Sequence, residues 1–228
     1  MESTSSTNDD LQAAAVAQTA TDRSVLVADH QTAGRGRLNR RWDAPAGANL
    51  LCSILMCQID PHIAQHVVAL SLVGAARDVA DYDATLKWPN DIVSIDEEGS
   101  WHKIAGMLST FVPGTGVIVG IGINLGWAPE GASRIVDPEG AAPDRWDLLR
   151  ALLKHIDRLR ASDSSEVLAE YRLNLDTIGR RVRVELPDDR VLEGRAISVA
   201  DTGELRVIDA CAVTHQLAIG DVIHLRDG

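Results

Sequence analysis

The sequence predicts an α+β fold, with a main body over residues 1–178 and a small β-barrel over residues 179–228. Two patterns and the chain length predict it. Up to Ile178, apolar residues at helical spacing alternate with short apolar runs of strand length. After Gly179 the period falls to two, in four or five short runs punctuated by "PDDR" and "DTGE". A chain of 228 residues buries a proper core and holds one large domain, or one plus a small one.

Residues 1–7 are rich in Ser and Thr and are expected to be loose. A helix is expected from Asn8 to about Thr19, with Leu11, Ala14, Ala15 and Gln18 at helical spacing. "SVLVAD" (24–29) reads as a buried strand leading into "DHQTAGRGRLNRRW", Asp29 to Trp42, and "NLLCSILM" (49–56) as a second apolar strand. Asp60 is expected to cap a helix that starts at Pro61, a position that needs no N–H. That helix runs to about Ala80, with Ile63, Val67, Leu70, Val73 and Ala76 on one side. "ATLKW" (84–88) and "DIVSI" (91–95) are strand signals, and the turn cluster "DEEGS" (96–100) makes a hairpin of 91–95 with a strand over 101–109. "GVIVGIGINL" (116–125) is the most apolar strand, and a Gly/Pro/Asp-rich loop occupies 128–143. Asp144 caps a helix with Leu149, Leu152, Leu153, Ile156 and Leu159 as its core stripe, and "DSSE" (163–166) fits a capping box for a further helix. The barrel strands are expected in "RRVRVEL", "VLEGRAISV", "ELRVI" and "DVIHL".

Composition excludes several classes. No stretch approaches the roughly 18 apolar residues of a membrane span, and "MESTSSTNDD" lacks the basic and apolar regions of a signal peptide. Cys52, Cys57 and Cys211 are an odd set with no CxxC spacing, which suits reducing cytoplasm rather than a disulfide or metal framework. A formal net charge of -11 argues against a surface that binds nucleic acid, whose phosphates need a basic face.

Four constellations carry chemistry, and each also admits a plain structural reading. Arg35, Arg37, Arg40 and Arg41 fall within seven residues, alternating with Gly34 and Gly36 and with no acid between His30 and Trp42. Glycine lets backbone N–H groups approach a ligand, and arginine adds forked donors for carboxylate or phosphate. The plain alternative is a solvated loop; neither GxGxxG nor GxxxxGK[ST] is present. Residues 33–41 have Leu38 as their one apolar anchor, so the loop is expected to stay mobile until an anion supplies counter-charge. "KWPNDI" (87–92) sets Lys87, Asn90 and Asp91 at a strand end, where Pro89 holds Trp88 out of the helical region. Lys103 lies in an apolar strand within "HKIAGML" (102–108), which is costly unless it is paired, faces a cleft, or guards a sheet edge. "VGIGINLGW" (119–127) places close-approach glycines before the polar Asn124. Together the four supply cations, close-approach backbone and polar strand ends, a set suited to joining a carboxylate to a nucleotide.

These motifs resemble biotin protein ligases. The resemblance rests on "STN" (Ser6, Thr7, Asn8), "ADHQTAGRGRLNRRW", "GANL", "LKWPNDI", "KIAG" and "GIGINL" in the family's order, and covers essentially the whole chain, including "RLNLDTIGRRV". It implies a mixed β-sheet flanked by helices, of the class II synthetase-like biotin/lipoate ligase type, with a C-terminal SH3-like barrel. It implies an enzyme that makes biotinyl-5′-AMP from biotin and MgATP and passes the biotinyl group to a lysine of a biotin carboxyl carrier protein. By the same resemblance, Ser6, Thr7, Asn8, Gln31, Gly34, Arg35, Gly36, Arg37 and Lys103 would contact biotin. Arg35, Arg37, Arg40, Trp42, Lys87, Asn90 and Asn124 would contact ATP or the adenylate, with Trp42 stacking near adenine. Lys103, Arg37, Lys87 and Asp91 would be catalytic, and Asn124 a magnesium contact.

Some family members carry an N-terminal winged helix-turn-helix. Five residues precede Ser6, so that domain, and with it specific DNA binding, is not expected, and the strand that usually precedes "STN" is nearly missing. A homodimer stays open. So do two other readings: a lipoate-protein ligase on a related fold, and a non-catalytic anion- or nucleic-acid-binding module.

Overall fold

The computed structural model describes residues 1–188, 190–218 and 220–225. The main body runs β1 (Ser3–Thr4), α1 (Thr7–Val16), β2 (Val25–Ala28), β3 (His30–Gln31), β4 (Leu50–Cys57) and α2 (Ala64–Ala80). It continues through β5 (Thr85–Lys87), β6 (Asp91–Ile95), β7 (Trp101–Val112), β8 (Gly116–Ile123), α3 (Arg145–Leu159) and α4 (Ser164–Leu173). Five strands follow: β9 (Arg181–Glu185), β10 (Val191–Val199), β11 (Leu205–Ile208), β12 (Thr214–Leu217) and β13 (Asp221–His224).

The central sheet has the order β2-β4-β8-β7-β6-β5, and every pairing in it is antiparallel. The parallel component of the fold is the short β1–β3 ribbon and a Leu86–Leu175 bridge. Residues 1–5 are therefore not loose: Asp29 and His30 donate N–H bonds to the carbonyls of Met1 and Glu2, and Thr32 and Ala33 to those of Thr4 and Ser5.

Alternation along the central strands assigns the two faces of the sheet. Cys52, Ile54, Met107, Val119, Ile121 and Ile123 pack into one core with α2 and α3. Leu55, Val112 and Ile118 pack on the other face against Leu11 and Ala15 of α1. Along β8 that second face continues from Ile118 to Gly120 and Gly122, so apolar cover gives way to bare backbone.

Local signals explain most boundaries. Asp144 caps α3, its carboxylate accepting from Trp146 N and Asp147 N, and Leu148, Leu149, Leu152, Ile156 and Leu159 are buried. Two capping expectations are corrected. Asp60 closes a turn of its own, accepting from His62 N at 3.0 Å, and α2 begins three residues after Pro61, at Ala64. Asp163 stands at the N-cap of α4 but its side chain makes no capping bond; residues 163–166 are exposed and water competes for those groups. Helix α1 ends at Val16, short of Thr19.

The last five strands form one antiparallel sheet, β12-β11-β10-β9-β13. Its outer strands do not pair with each other among the described residues, so this sheet is open. Its buried residues, Val182, Val184, Ala196, Leu205, Val207 and Val222, are continuous with the core of the main body. Trp88, 2% exposed and joined to Pro89 by a cis peptide bond, ties the two parts: its Nε1 donates to Gly203 O at 2.9 Å.

His66 on α2 is buried, its ring 4.1 Å from that of Tyr171. Burial, reinforced by the charges of Arg172 and His62, pushes its pKa down to about 4 from an ordinary 6.5. The unfolded chain therefore binds this proton more readily than the folded one, and stability falls as pH drops from 6.5 towards 4. The full effect is about 3 kcal/mol at about 1.4 kcal/mol per unit. His66→Phe should flatten the fall in melting temperature between pH 7 and pH 4.5; an unchanged slope would show that His66 is not its source.

Candidate active site

A cavity of about 330 Å³ opens on the α1 face of the central sheet. Its floor is the stretch of β7 and β8 where glycines replace side chains. Gly106 is paired with Gly122, and Leu108 with Gly120. A Cβ on Gly122 would fall 2.3 Å from Trp42 Cε2, and one on Gly120 3.2 Å from Asn8 Oδ1. These glycines make room for neighbours that lie directly on the sheet.

The N-terminus of α1 forms one end of the cavity. Thr7 N and Oγ1 both donate to Gln31 Oε1, at 2.8 and 3.1 Å, and Thr7 Oγ1 meets Ser53 Oγ at 2.8 Å. With its oxygen held, Gln31 has its NH₂ donors left for the cavity. Ser6 Oγ accepts from Asp9 N and keeps its own proton to donate. Asn8 Nδ2 donates to Thr110 Oγ1 at 3.0 Å, while its Oδ1 is buried without a donor among the described residues.

Lys103 marks the other end. Simple alternation would turn it towards α2 with Ala105 and Met107. A bulge prevents this: Ile92 pairs with Ala105 and Val93 with Lys103, so Ile104 is an extra residue. Lys103 thereby joins the Gly106 face, its Nζ 2.9 Å from where a Gly106 Cβ would be. It pairs with Asp91 at 2.6 Å and stands 5.3 Å from the Trp42 ring centre.

Asp91 begins β6 opposite both Gly106 and Lys87. Lys87 lies 5.1 Å over the Trp101 ring, and burial is the main cause lowering its pKa, with Asp91 opposing. Asn90 holds the strand end to the loop: its Nδ2 donates to Met107 O at 2.7 Å and its Oδ1 accepts from Arg37 at 3.4 Å. Asn124 Nδ2 donates to the carbonyls of Lys103 and Ser133, and its Oδ1 accepts from Asn49. That amide holds the backbone on either side of the cleft wall, at Lys103 and Ser133.

The arginine loop closes on itself through an Arg35–Arg41 bridge, with a single tight turn at Arg37–Asn39 in which Leu38 takes the left-handed conformation (φ 53°). The expectation that its arginines lack counter-charge until an anion arrives is corrected: other elements supply it. Arg35 pairs with Asp9 of α1, and Arg40 with Asp221 of β13. Arg37 reaches Asn90 and the Gly220 carbonyl; burial works against its charge, and Asp221 and Asp91 support it. Trp42 N donates to Gly34 O, and the indole lies on the glycine floor.

Residues 1–126 match the biotin/lipoate A/B protein ligase family, and residues 177–225 the biotin protein ligase C-terminal domain. The chain belongs to the biotin/lipoate protein ligase family. It is 36% identical over 238 residues to a biotin–[acetyl-CoA-carboxylase] ligase of Mycobacterium tuberculosis, covering 98% of this chain and 87% of that one. Its fold is similar to that of the Aquifex aeolicus biotin protein ligase solved with biotin and ATP, with a TM-score of 0.79 at 23% identity over 100% of this chain and 97% of that one. The Leishmania major enzyme solved with biotinyl-5-AMP gives a TM-score of 0.65 at 24% identity over 96% and 97%.

In this family member the sequence-derived residues converge on one cavity, which Ser6, Gln31, Arg37, Trp42, Asn90 and Lys103 line. Two are not among the lining residues: Lys87 stands behind Asp91, and Gly34 packs against the Trp42 backbone and the Gln31 side chain. Asp9, Ser53, Asn49 and Asp221 were missed by sequence reasoning. Asp9 follows "STN", Asn49 lies within "GANL", and Ser53 lies within the strand "NLLCSILM". Asp221 lies 181 positions from its partner Arg40, and no local signal joins them.

The Arg40–Asp221 pair is exposed on the arginine side and worth at most about 1 kcal/mol to global stability. Its consequence is local. Asp221→Asn should speed tryptic cleavage after Arg37, Arg40 or Arg41 severalfold at an unchanged melting temperature. Cleavage at the wild-type rate would show that Asp221 does not anchor the loop.

Proposed function

We propose that this chain is an ATP-dependent biotin protein ligase. The observation that carries the reading is the placement of Lys103 at one end of a glycine-floored cleft whose other end is a cluster of small hydrogen-bonding side chains, with the arginine loop along it. Ser6, Asn8 and Gln31 offer donors and an acceptor to a ureido ring, and the apolar floor between accepts the rest of a small ligand. Lys103 offsets the repulsion between a carboxylate and a triphosphate. A carboxylate oxygen attacks the α-phosphorus, the bond to pyrophosphate breaks, and biotinyl-5′-AMP forms. A lysine amine of a biotin carboxyl carrier domain then attacks the acyl carbon, loses a proton, and AMP leaves.

Arg35, Arg37 and Arg40 cover the phosphate region from the loop, and a closed loop keeps water from the anhydride. Magnesium enters with the nucleotide as the triphosphate complex. No cluster of three His, Cys, Asp or Glu side chains among the described residues could hold a metal. Asp91, a carboxylate of the cleft, fits an ion held chiefly by phosphates and water. The carrier domain is the macromolecular partner in this reading. No helix among the described residues is long and apolar enough to cross a membrane, and the three cysteines are unpaired thiols, which suits cytoplasm. The acidic surface gives no basis for sequence-specific DNA binding.

Biotin should drive ATP–pyrophosphate exchange, and lipoate and octanoate should not; exchange with lipoate alone would overturn the assignment. Lys103→Met should fold normally and lose about 10²–10³ in the adenylation rate, the usual loss for one donor at forming charge. Full turnover by that variant at saturating substrate would remove Lys103 from the mechanism.

A further inference from the structure

Besides Asp91 Oδ1, which is ion-paired with Lys103, two buried polar atoms of the cleft have no hydrogen-bond partner among the described residues: the acceptor Asn8 Oδ1 and the donor Trp42 Nε1. Buried donors are rarely left unmatched, so each asks what it meets in the working enzyme. Their positions are distinct. Asn8 Oδ1 stands over Gly120, and the Trp42 ring lies over Gly122 and Gly106. Gly120 and Gly122 are two residues apart along β8, about 7 Å at strand rise.

Trp42 shares its end of the floor with Lys103. A Cβ on Gly106 would meet Lys103 Nζ at 2.9 Å and Trp42 Cζ3 at 3.0 Å, and one on Gly122 would meet Trp42 Nε1 at 2.4 Å. The chain leading to the indole is held by backbone bonds: Trp42 N donates to Gly34 O, and Gly36 N to Arg40 O. The ring is held close to the sheet, with the Lys103 ammonium near its Cζ3 edge and its buried N–H at the other edge, over Gly122.

On the proposed function, the ligand brings N–H donors to the Asn8 end and a carboxylate to the Lys103 end. We infer that Trp42 Nε1–H is a second donor to the biotin carboxylate, acting with Lys103 to fix the plane of that group. An ammonium group is a point charge with freely turning protons and sets no orientation on its own. An indole N–H has one direction. Held by both, the carboxylate presents its second oxygen towards the phosphate region under the arginine loop. The role expected from the resemblance, stacking near adenine, requires the ring but not its nitrogen; this inference requires the nitrogen.

The test removes the N–H and keeps the ring. Trp42→Phe, and a chain carrying 3-benzothienylalanine at position 42 as the shape-conserving substitute, are titrated calorimetrically with biotin. They are also titrated with an analogue that ends in a methyl group in place of the carboxylate. Both substituted proteins should bind biotin about 10-fold to 100-fold more weakly than the wild type, the range for a lost hydrogen bond to a charged group. Both should bind the analogue as the wild type does. Equal losses for the two ligands would make Trp42 a packing residue and overturn the inference, as would benzothienylalanine enzyme that binds biotin at full strength. A wild-type chain that binds neither ligand would sink the biotin reading itself, and the Trp42 assignment with it.

Discussion

The site depends on the pairing of Gly106 with Gly122 across β7 and β8. Both strands are interior to the central sheet, and on their other face Met107 and Ile121 are buried against α2 and α3. The same few residues therefore close the core on one side and leave bare backbone on the other. Glycine weakens a strand, but here both neighbours are paired along their length, so the ladder carries the strand geometry without local side-chain packing. The bare patch sets the seat of Trp42, the position of the Lys103 ammonium and the depth of the cavity. A methyl group at Gly122 leaves no room for the indole, and the nearest atoms belong to a rigid ring.

A second constraint is electrostatic. A protein of net charge -11 has gathered its cations where an anion is to be handled, and has had to keep them there without one. Burial works against the charge of Lys87 and Arg37, and Asp91 and Asp221 oppose that effect in both cases. Lys103 is held by Asp91, Arg35 by Asp9 and Arg40 by Asp221. The aspartates thus pre-place the cations at a modest price in affinity, because an arriving phosphate must compete with them. Pre-placed charge of this kind needs little reorganisation at the moment of reaction.

Much of this was legible in the sequence, and the failures have physical causes. Short apolar runs located β4, β6 and β8, of which β4 is buried on both faces, and helical spacing located α2 and α3, which pack into one core. "THQL", which forms β12, alternates between exposed and half-buried positions and carries no apolar face to reveal it. Asp60 and Asp163 are residues suited to caps, yet a cap depends on which neighbouring backbone groups are unpaired, and that is settled by packing. The glycines of "GIGIN" and "KIAG" could be read as close-approach positions. The direction of Lys103 could not: it depends on one extra residue in β7, and a bulge has no composition of its own. The loop's partners were the least legible, since a counter-ion on a distant strand leaves no trace near the arginines.

That last point bears on what the C-terminal sheet is for. It shares a continuous core with the main body and grips it through Trp88, whose indole N–H reaches Gly203 O and whose backbone N–H is taken by Thr177 Oγ1 at 3.0 Å. Trp88 belongs to the "KWPND" segment that also carries Lys87, Asn90 and Asp91. From the other side, Asp221 opens β13, the edge strand next to β9, and with Gly220 it meets Arg40 and Arg37 of the loop. The appended sheet therefore touches the cleft twice, behind the strand that presents Asp91 and in front through the arginine loop. A displacement of that sheet would move both walls of the cleft together. The two sheets share one core, and residues of both border the cleft.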